Sequence, residues 1–194
     1  MTKISIIYHS GFGHTEVQAK AVYEGVLQVK GAEASLIKAE EAIADIEQFN
    51  DSDAIIFGSP TYMGSVSAKF KEFMDASSQI WMKQGWKDKI AAGFTNSHSL
   101  SGDKLNTLMQ IGIYAMQHSM IWVGLGHMNT CPDGKQGKID EINRMGSFFG
   151  AMAQSDNKPA DVTPGEGDIK TAKILGQRVA ILTKKFKNND QLEQ

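Results

Sequence analysis

An apolar segment, Ile4–Tyr8, runs directly into the glycine- and hydroxyl-rich sequence Ser10–Thr15 near the start of the chain. Helical spacing follows at once, since Val17, Ala21 and Val22 can share one face of a helix. A buried strand, a short loop and a helix in this order aim several backbone N–H groups and a helix N-terminus at one point. A phosphate dianion suits such a point, so we predict a phosphate-binding loop at residues 10–15.

Apolar segments suited to buried strands recur along the chain and alternate with segments of helical spacing. The predicted strands are Ile4–Tyr8, Ala34–Ile37, Ala54–Phe57, Ile90–Phe94 and Met120–Val123. This alternation favours an α/β fold with a five-stranded parallel sheet covered by helices on both faces. The stretch from Gly124 to Asp168 is irregular, which indicates a lid or an insertion in the final strand, and Phe148–Ala153 can resume the sheet edge.

The bulk properties narrow the classes of partner. A chain of 194 residues is predicted to form one domain over residues 1–187, followed by a polar tail at 188–194. The formal net charge of −2 gives no reason to expect a nucleic acid partner, and no apolar run is long enough for a membrane span. Cys131 is the single cysteine, which favours a cytoplasmic protein. Cys131 lies four residues after His127, a spacing that two metal ligands can have. The sequence offers no second pair of ligands, so no metal site is predicted.

A second loop, Gly58–Gly64, follows the third predicted strand. Pro60 fixes the backbone at the strand end, and Gly64 permits a turn. Between them, Tyr62 and Met63 place an aromatic ring and a polarizable thioether at the mouth of the sheet, a combination suited to a flat heterocycle. The alternative is that these two side chains only cap the core.

The first loop by itself leaves alternatives open. No Lys or Arg lies between Ser10 and Thr15, and the Walker spacing is absent, which argues against a nucleoside triphosphate site. The dinucleotide-binding fingerprint fits at Gly11 and Gly13, whereas Glu16 occupies the position of its third glycine. A tight strand-to-helix turn without any ligand also fits these residues.

Together, Ser10–Thr15 and Phe57–Thr61 resemble the flavodoxin superfamily, and most closely its WrbA-type NAD(P)H:quinone oxidoreductases, also called tryptophan-repressor-binding proteins. The resemblance covers most of the chain to about Gly126. It implies a flavodoxin-like three-layer sandwich whose five-stranded parallel sheet has the order 2-1-3-4-5, with an interrupted or extended last strand. It also implies an enzyme that transfers two electrons from NADH or NADPH, through bound FMN, to a quinone.

On this resemblance, the FMN phosphate lies on the first loop, and the isoalloxazine ring lies between the second loop and the segment after the fourth strand. The implied cofactor-binding residues are Ser10, Gly11, Phe12, Gly13, His14, Thr15, Pro60, Thr61, Tyr62, Met63, Gly64, Asn96, Ser97, His98 and Ser99. The sequence departs from the family where Phe12 replaces a common Tyr, and where His98 and Leu100 add bulk to a glycine-rich segment. An insertion that many members carry after the second strand is also missing.

Trp81 and His118 match family residues that line the flavin pocket. Both precede a predicted strand, so they should lie at the amino end of the sheet, opposite the flavin of their own chain. We therefore predict a homodimer or homotetramer in which these residues reach the flavin of a neighbouring subunit. The alternative is that Trp81 packs within its own subunit and that His118 is a cation at a helix end.

Two other functions are compatible with the sequence. The first is an FMN-binding electron carrier without a substrate pocket of its own. Such a carrier usually presents a strongly acidic face to its partners, and the near balance of 22 acidic and 20 basic residues does not indicate one. A flavin-free binding module that keeps the fold is suggested by the altered sequence around His98.

Overall fold

The computed structural model describes residues 1–129, 134–135 and 137–190, so Cys131 lies outside the described residues. In chain order the elements are β1 (Thr2–Tyr8), α1 (His14–Leu27), β2 (Ala32–Lys38), α2 (Ala39–Ala42), a 3₁₀ helix (Ile43–Asp51), β3 (Ala54–Tyr62), β4 (Ser65–Val66), α3 (Ala68–Ala76), α4 (Ser78–Met82), β5 (Ile90–Ser97), α5 (Lys104–Gln117), β6 (Ile121–Trp122), β7 (Ala151–Gln154) and α6 (Glu166–Asp190). No helix in these described ranges is long and apolar enough to cross a membrane.

The central sheet is parallel and has the order β2-β1-β3-β5-β6, with β7 also paired to β5. β6 pairs with the start of β5, where Ile90 faces Ile121, and β7 pairs with its end, where Phe94 faces Ala151. Two short strands thus share one edge of the sheet and are separated in sequence by residues 123–150. The predicted flavodoxin-like fold, with an interrupted last strand, is confirmed.

Two strands extend further into the predicted ligand loops than the sequence pattern indicates. β3 continues through Pro60 to Tyr62, and β5 continues to Ser97. The prediction that Pro60 ends the third strand is therefore wrong, because the antiparallel β3–β4 hairpin extends it. The turn residues Met63 and Gly64 both have positive φ, 48° and 75°, as a two-residue type I′ hairpin turn requires.

Two apolar cores lie on opposite faces of the sheet. Helices α1 and α6 cover one face, where Val22 and Leu175 are fully buried. Helices α3 and α5 cover the other face over an aromatic cluster that includes Phe57, Phe73 and Trp86. The two buried faces hold the strands in register and present their carboxyl ends at one edge of the sheet.

Helix α5 is apolar on two sides. Its core-facing side contains the fully buried Leu108, Ile111 and Ala115. The exposed stripe, at spacings of three and four, consists of Leu105, Met109, Ile113 and Met116. An exposed apolar stripe of this kind is typical of a surface that meets another protein.

A buried ion pair anchors the residues inserted between β6 and β7. Arg144 donates two hydrogen bonds of 2.8 Å to the carboxylate of Asp168, which lies in the first turn of α6. Arg144 also donates to the Gln154 side chain (3.0 Å), and the Gln154 backbone N–H donates to Asp168 (2.9 Å). The insertion is thereby tied to the end of β7 and the start of α6.

Candidate functional site

A cavity of about 560 Å³ opens at the carboxyl ends of β1, β3, β5 and β7. This volume is in the range of small-molecule and cofactor pockets. The sequence-predicted residues that line it are Ser10, Phe12, His14, Thr15, Pro60, Thr61, Tyr62, Asn96, Ser97 and His98. The structure therefore brings residues of all three predicted loops to a single site.

The loop between β1 and α1 is shaped to receive an anion. Gly13 has a φ of +89°, a conformation that favours glycine, and helix α1 begins at the next residue. The Ser10 hydroxyl accepts a hydrogen bond of 3.1 Å from the backbone N–H of Glu16, which ties the loop to the first turn of α1. His14 and Thr15, the first two residues of α1, line the cavity, so the positive end of the helix dipole lies at its wall, which suits a phosphate group.

An aromatic pair stands beside this loop. The rings of Phe12 and Tyr62 meet edge to face, with centroids 6.3 Å apart. The Tyr62 hydroxyl lies over Gly11 so closely that a Cβ there would come within 2.5 Å of the phenolic oxygen. Partial burial raises the pKa of Tyr62 above its ordinary value, so the phenol stays neutral. Tyr62 thus offers the cavity a flat, uncharged surface.

The hydroxyl of Thr61 faces the interior and not the cavity. Its Oγ1 hydrogen-bonds the hydroxyls of Thr95 and Thr107, each at 2.8 Å. These contacts join β3, β5 and α5 directly beneath the cavity. Thr61 therefore lines the cavity, while its hydroxyl links the three elements that lie beneath it.

Four predicted residues lie beside the cavity without lining it, in addition to Gly11. Met63 and Gly64 form the exposed tip of the β3–β4 hairpin, and the Met63 side chain is fully exposed. Gly13 supplies the bend that begins α1. The backbone carbonyl of Ser99 accepts hydrogen bonds behind the wall, from Ser97 and Lys104.

Sequence reasoning missed the fourth wall of the cavity, residues 155–158, which follow β7. Asn96 donates to the Ser155 hydroxyl (2.8 Å), and His98 Nδ1 donates to the Ser155 carbonyl (3.2 Å). On the other side, His14 Nε2 donates to the carbonyl of Lys158 (2.8 Å). These bonds join the segment to both the first and the third loop. The apolar segment at 148–153 is the one sequence signal that bears on them, but the position of the residues after it depends on the pairing of β7 with the end of β5.

Trp81 and His118 line a second cavity, of about 520 Å³, between α3–α4 and α5. None of the described residues that line it also lines the first cavity. Trp81 is exposed, whereas His118 is almost completely buried. The structure thus places both residues away from the first cavity of their own chain.

His118 is held by a network within its own subunit. Tyr114 and His118 Nε2 both donate to the Ser77 hydroxyl (2.8 and 2.9 Å), which itself donates to the Met74 carbonyl (2.7 Å). The ring packs against Trp86, with centroids 4.5 Å apart. Burial lowers the pKa of His118 to about 4, so the imidazole is neutral and the alternative of a helix-end cation does not hold.

His118 should make the protein acid-sensitive. Its pKa lies below that of an unfolded histidine, so the unfolded chain binds the extra proton first. The contribution of neutral His118 to the free energy of unfolding is therefore fully present above about pH 6.5. It decreases, by up to about 1.4 kcal/mol per pH unit, as the pH falls from there toward 4. Urea denaturation of the wild type and His118→Gln at several pH values measures this. A variant whose stability falls with acid as steeply as the wild type would contradict the assignment.

Among the described residues, no group of three or more His, Cys, Asp or Glu side chains is placed to hold a metal ion.

Comparisons with known proteins agree with this geometry. Residues 15–129 match the family model described as NADPH-dependent FMN reductase. Flavodoxin FldP of Pseudomonas aeruginosa (strain UCBPP-PA14) is 39% identical over 188 residues, which cover 93% of this chain and 96% of the relative. NAD(P)H dehydrogenase (quinone) of Archaeoglobus fulgidus is 34% identical over 209 residues, which cover 96% of this chain and 100% of the relative.

A solved structure is similar over nearly the whole chain. It is the crystal structure of the flavodoxin, WrbA-like protein from Agrobacterium tumefaciens, with a TM-score of 0.73 and 37% identity, covering 95% of this chain and 99% of that one. The fold and the cavity thus define a flavodoxin-like protein of the flavin-binding class. The chain belongs to the NADPH-dependent FMN reductase family, in its WrbA-like branch.

Proposed function

We propose that this chain is an FMN-dependent oxidoreductase that transfers two electrons from NADH or NADPH to a quinone. The observation that supports it is the first cavity, where a helix start suited to an anion lies beside an aromatic surface and a polar wall. FMN needs these three features in one place, for its phosphate, its ring face and its ring edge. Several relatives, including the A. fulgidus protein, are named NAD(P)H dehydrogenase (quinone), which favours this activity.

In this proposal each group of the cavity binds or orients FMN. Residues 10–15 and the start of α1 would hold the phosphate, Tyr62 would lie against the ring, and Asn96–His98 would offer polar groups to its edge. Bound FMN supplies the hydride chemistry, and the protein supplies orientation and charge. The cavity wall also contains Lys158, whose ammonium pairs with the carboxylate of Asp156 in the same wall (3.6 Å).

An electron carrier is the second candidate, because FldP is named a flavodoxin. A carrier passes electrons only to a partner protein, whereas a quinone reductase turns over small molecules alone. Steady-state oxidation of NADH and of NADPH by the FMN-loaded protein, with benzoquinone as sole acceptor, separates the two. Sustained turnover supports the proposal, and its absence with both nucleotides, despite bound FMN, would favour the carrier.

We also propose that the protein forms a homodimer or homotetramer in which Trp81 and His118 approach a partner's flavin site. Exposed Trp81, the exposed Met63 tip and the apolar stripe of α5 are the surfaces that such an assembly would cover. Because His118 is almost completely buried and lines the same cavity as Trp81, it would approach the partner's flavin from the wall of that cavity, beside the exposed Trp81. Sedimentation of the FMN-loaded protein tests this, and a monomer at all concentrations would contradict it.

The bend at Gly13 should be needed for FMN. Gly13→Ala places a side chain where φ is +89° and brings its Cβ to 3.0 Å from that of Ala160. A left-handed residue other than glycine costs about 1–2 kcal/mol, so we expect roughly tenfold weaker FMN binding as the loop shifts to relieve the strain. Quenching of FMN fluorescence on titration measures the Kd.

Gly31→Ala is the matched control, since Gly31 follows the other end of α1 with a φ of +84°. It should lower stability to a similar degree and leave the Kd for FMN unchanged. Equal loss of affinity in both variants would mean that the effect arises from the stability of α1 and not from the loop.

A further inference from the structure

Lys104 is a buried charged residue without a part in the site described so far. It is the first residue of α5, only 1% exposed, and lies directly behind the polar wall of the cavity. A cation in the first turn of a helix opposes the helix dipole, and burial of an ammonium group is costly. Local costs of this kind concentrate at functional sites.

The ammonium of Lys104 uses all three of its donors on one short segment. Nζ donates to the Ser97 hydroxyl (2.9 Å) and to the carbonyls of Ser99 and Leu100 (2.8 Å each). The segment folds tightly around it, since Gly102 approaches Ser97 so closely that a Cβ would come within 2.3 Å of the serine hydroxyl oxygen. The shape of residues 97–101 therefore depends on this one cation.

Ser97 connects Lys104 to the cavity. It lines the cavity wall, and its hydroxyl accepts from Lys104 while donating to the Ser99 carbonyl (3.0 Å). Its neighbour His98 is also a wall residue and is fixed from the far side by Ser155. The positive charge of Lys104 thus lies one hydrogen bond behind the surface that faces a bound ligand.

We propose that Lys104 is a positioning residue of the flavin site, which holds residues 97–101 in their binding shape and supplies a buried positive charge that favours reduced FMN. This inference rests on the proposed binding of FMN in the cavity. Reduced flavin carries more negative charge than oxidised flavin, and a nearby cation in a poorly solvated place stabilises that charge. Lys104 should therefore strengthen FMN binding and raise the midpoint potential of the bound flavin.

The charge of Lys104 should be sensitive to pH. Burial lowers its pKa to about 8; Asp168 of α6 acts against this shift, and Arg144 of the insertion acts with it. Asp103 precedes it on the same turn, and His98 is the titratable group of the segment that it holds. As the pH rises through about 8, the ammonium loses its proton and the segment loses its clamp, so FMN should bind more weakly in alkaline solution.

Lys104→Met, which keeps an unbranched side chain of nearly the same length and removes the charge, tests the proposal beside the control Lys69→Met on an exposed lysine of α3. We expect at least about tenfold weaker FMN binding at pH 7 for the first variant, the size typical of lost bonds to a charged group. In Lys104→Met, the affinity for FMN should no longer decrease above about pH 8. The midpoint potential of the bound FMN, measured with a chemical reductant, should be lower than in the wild type. Lys69→Met should match the wild type in all three.

The readouts separate this proposal from the proposed function. If the wild type binds FMN but does not oxidise NADH or NADPH, the function fails while affinity and potential still report on Lys104. A folded Lys104→Met with wild-type affinity, pH profile and potential would overturn the role of Lys104 alone. Lys104→Gln, which keeps two donors, is the second variant. Loss of folding in both would assign Lys104 to stability only and would also overturn the proposal.

Discussion

Asp168→Asn should lower the free energy of unfolding by about 3–5 kcal/mol, the usual effect of leaving a buried charge without its partner. Arg144 and Asp168 are both buried, and the carboxylate accepts two hydrogen bonds from the guanidinium and one from the Gln154 backbone. The amide keeps the shape of the side chain but cannot neutralise Arg144. Denaturation in urea or guanidinium chloride, followed by circular dichroism, measures the loss.

Glu166→Gln is the control for this experiment. Glu166 lies in the same first turn of α6, but its ion pair with Lys170 is exposed to solvent, so its loss should cost no more than about 0.5 kcal/mol. The double variant Arg144→Met/Asp168→Leu should recover much of the stability, because an apolar pair avoids burying charge. A loss below about 1 kcal/mol in Asp168→Asn would show that the pair does not anchor the insertion.

Gly176→Ala should destabilise the protein by about 1–3 kcal/mol, although alanine is normally favoured over glycine inside a helix by about 1 kcal/mol. Helices α1 and α6 cross at Gly25 and Gly176. A Cβ on Gly176 would lie 2.1 Å from the Val22 carbonyl oxygen, and one on Gly25 would lie 2.1 Å from that of Lys173. These neighbours are backbone atoms, so relief requires the helices to separate.

Gly25→Ala should have the same effect, and the double variant should cost less than the sum, since separation of the helices relieves both contacts. Lys20→Ala, on the exposed side of α1, serves as the control and should change stability by less than about 0.5 kcal/mol. Thermal and chemical denaturation give these values. A stabilised Gly176→Ala would contradict the close crossing of α1 and α6.

The parts of the site that the sequence predicts are those encoded by local patterns. Five apolar segments alternating with helices indicate the sheet, and a strand that ends in Ser10–Thr15 predicts an anion-binding turn. Both follow from neighbouring residues, so no knowledge of distant contacts is needed. The interrupted edge strand is visible for the same reason, because Phe148–Ala153 is an apolar segment inside an irregular stretch.

The parts that the sequence does not predict depend on contacts between distant residues. Residues 155–158 reach the cavity only because β7 pairs with the end of β5. Lys104 in the sequence Gly102-Asp103-Lys104 is indistinguishable from a solvated lysine at a helix start, and its burial depends on how residues 97–101 fold over it. The neutral state of His118 likewise results from its burial against Trp86 and Ser77, which belong to a segment distant from it along the chain.

The central claim is that the cavity binds FMN and that bound FMN passes electrons from a nicotinamide nucleotide to a quinone. The most direct measurement is the absorbance spectrum of the FMN-loaded protein during anaerobic addition of NADH or NADPH, followed by benzoquinone. We expect the flavin bands to bleach on addition of nucleotide and to return with the quinone. Protein that retains no FMN, or bound FMN that neither nucleotide bleaches, would contradict the account.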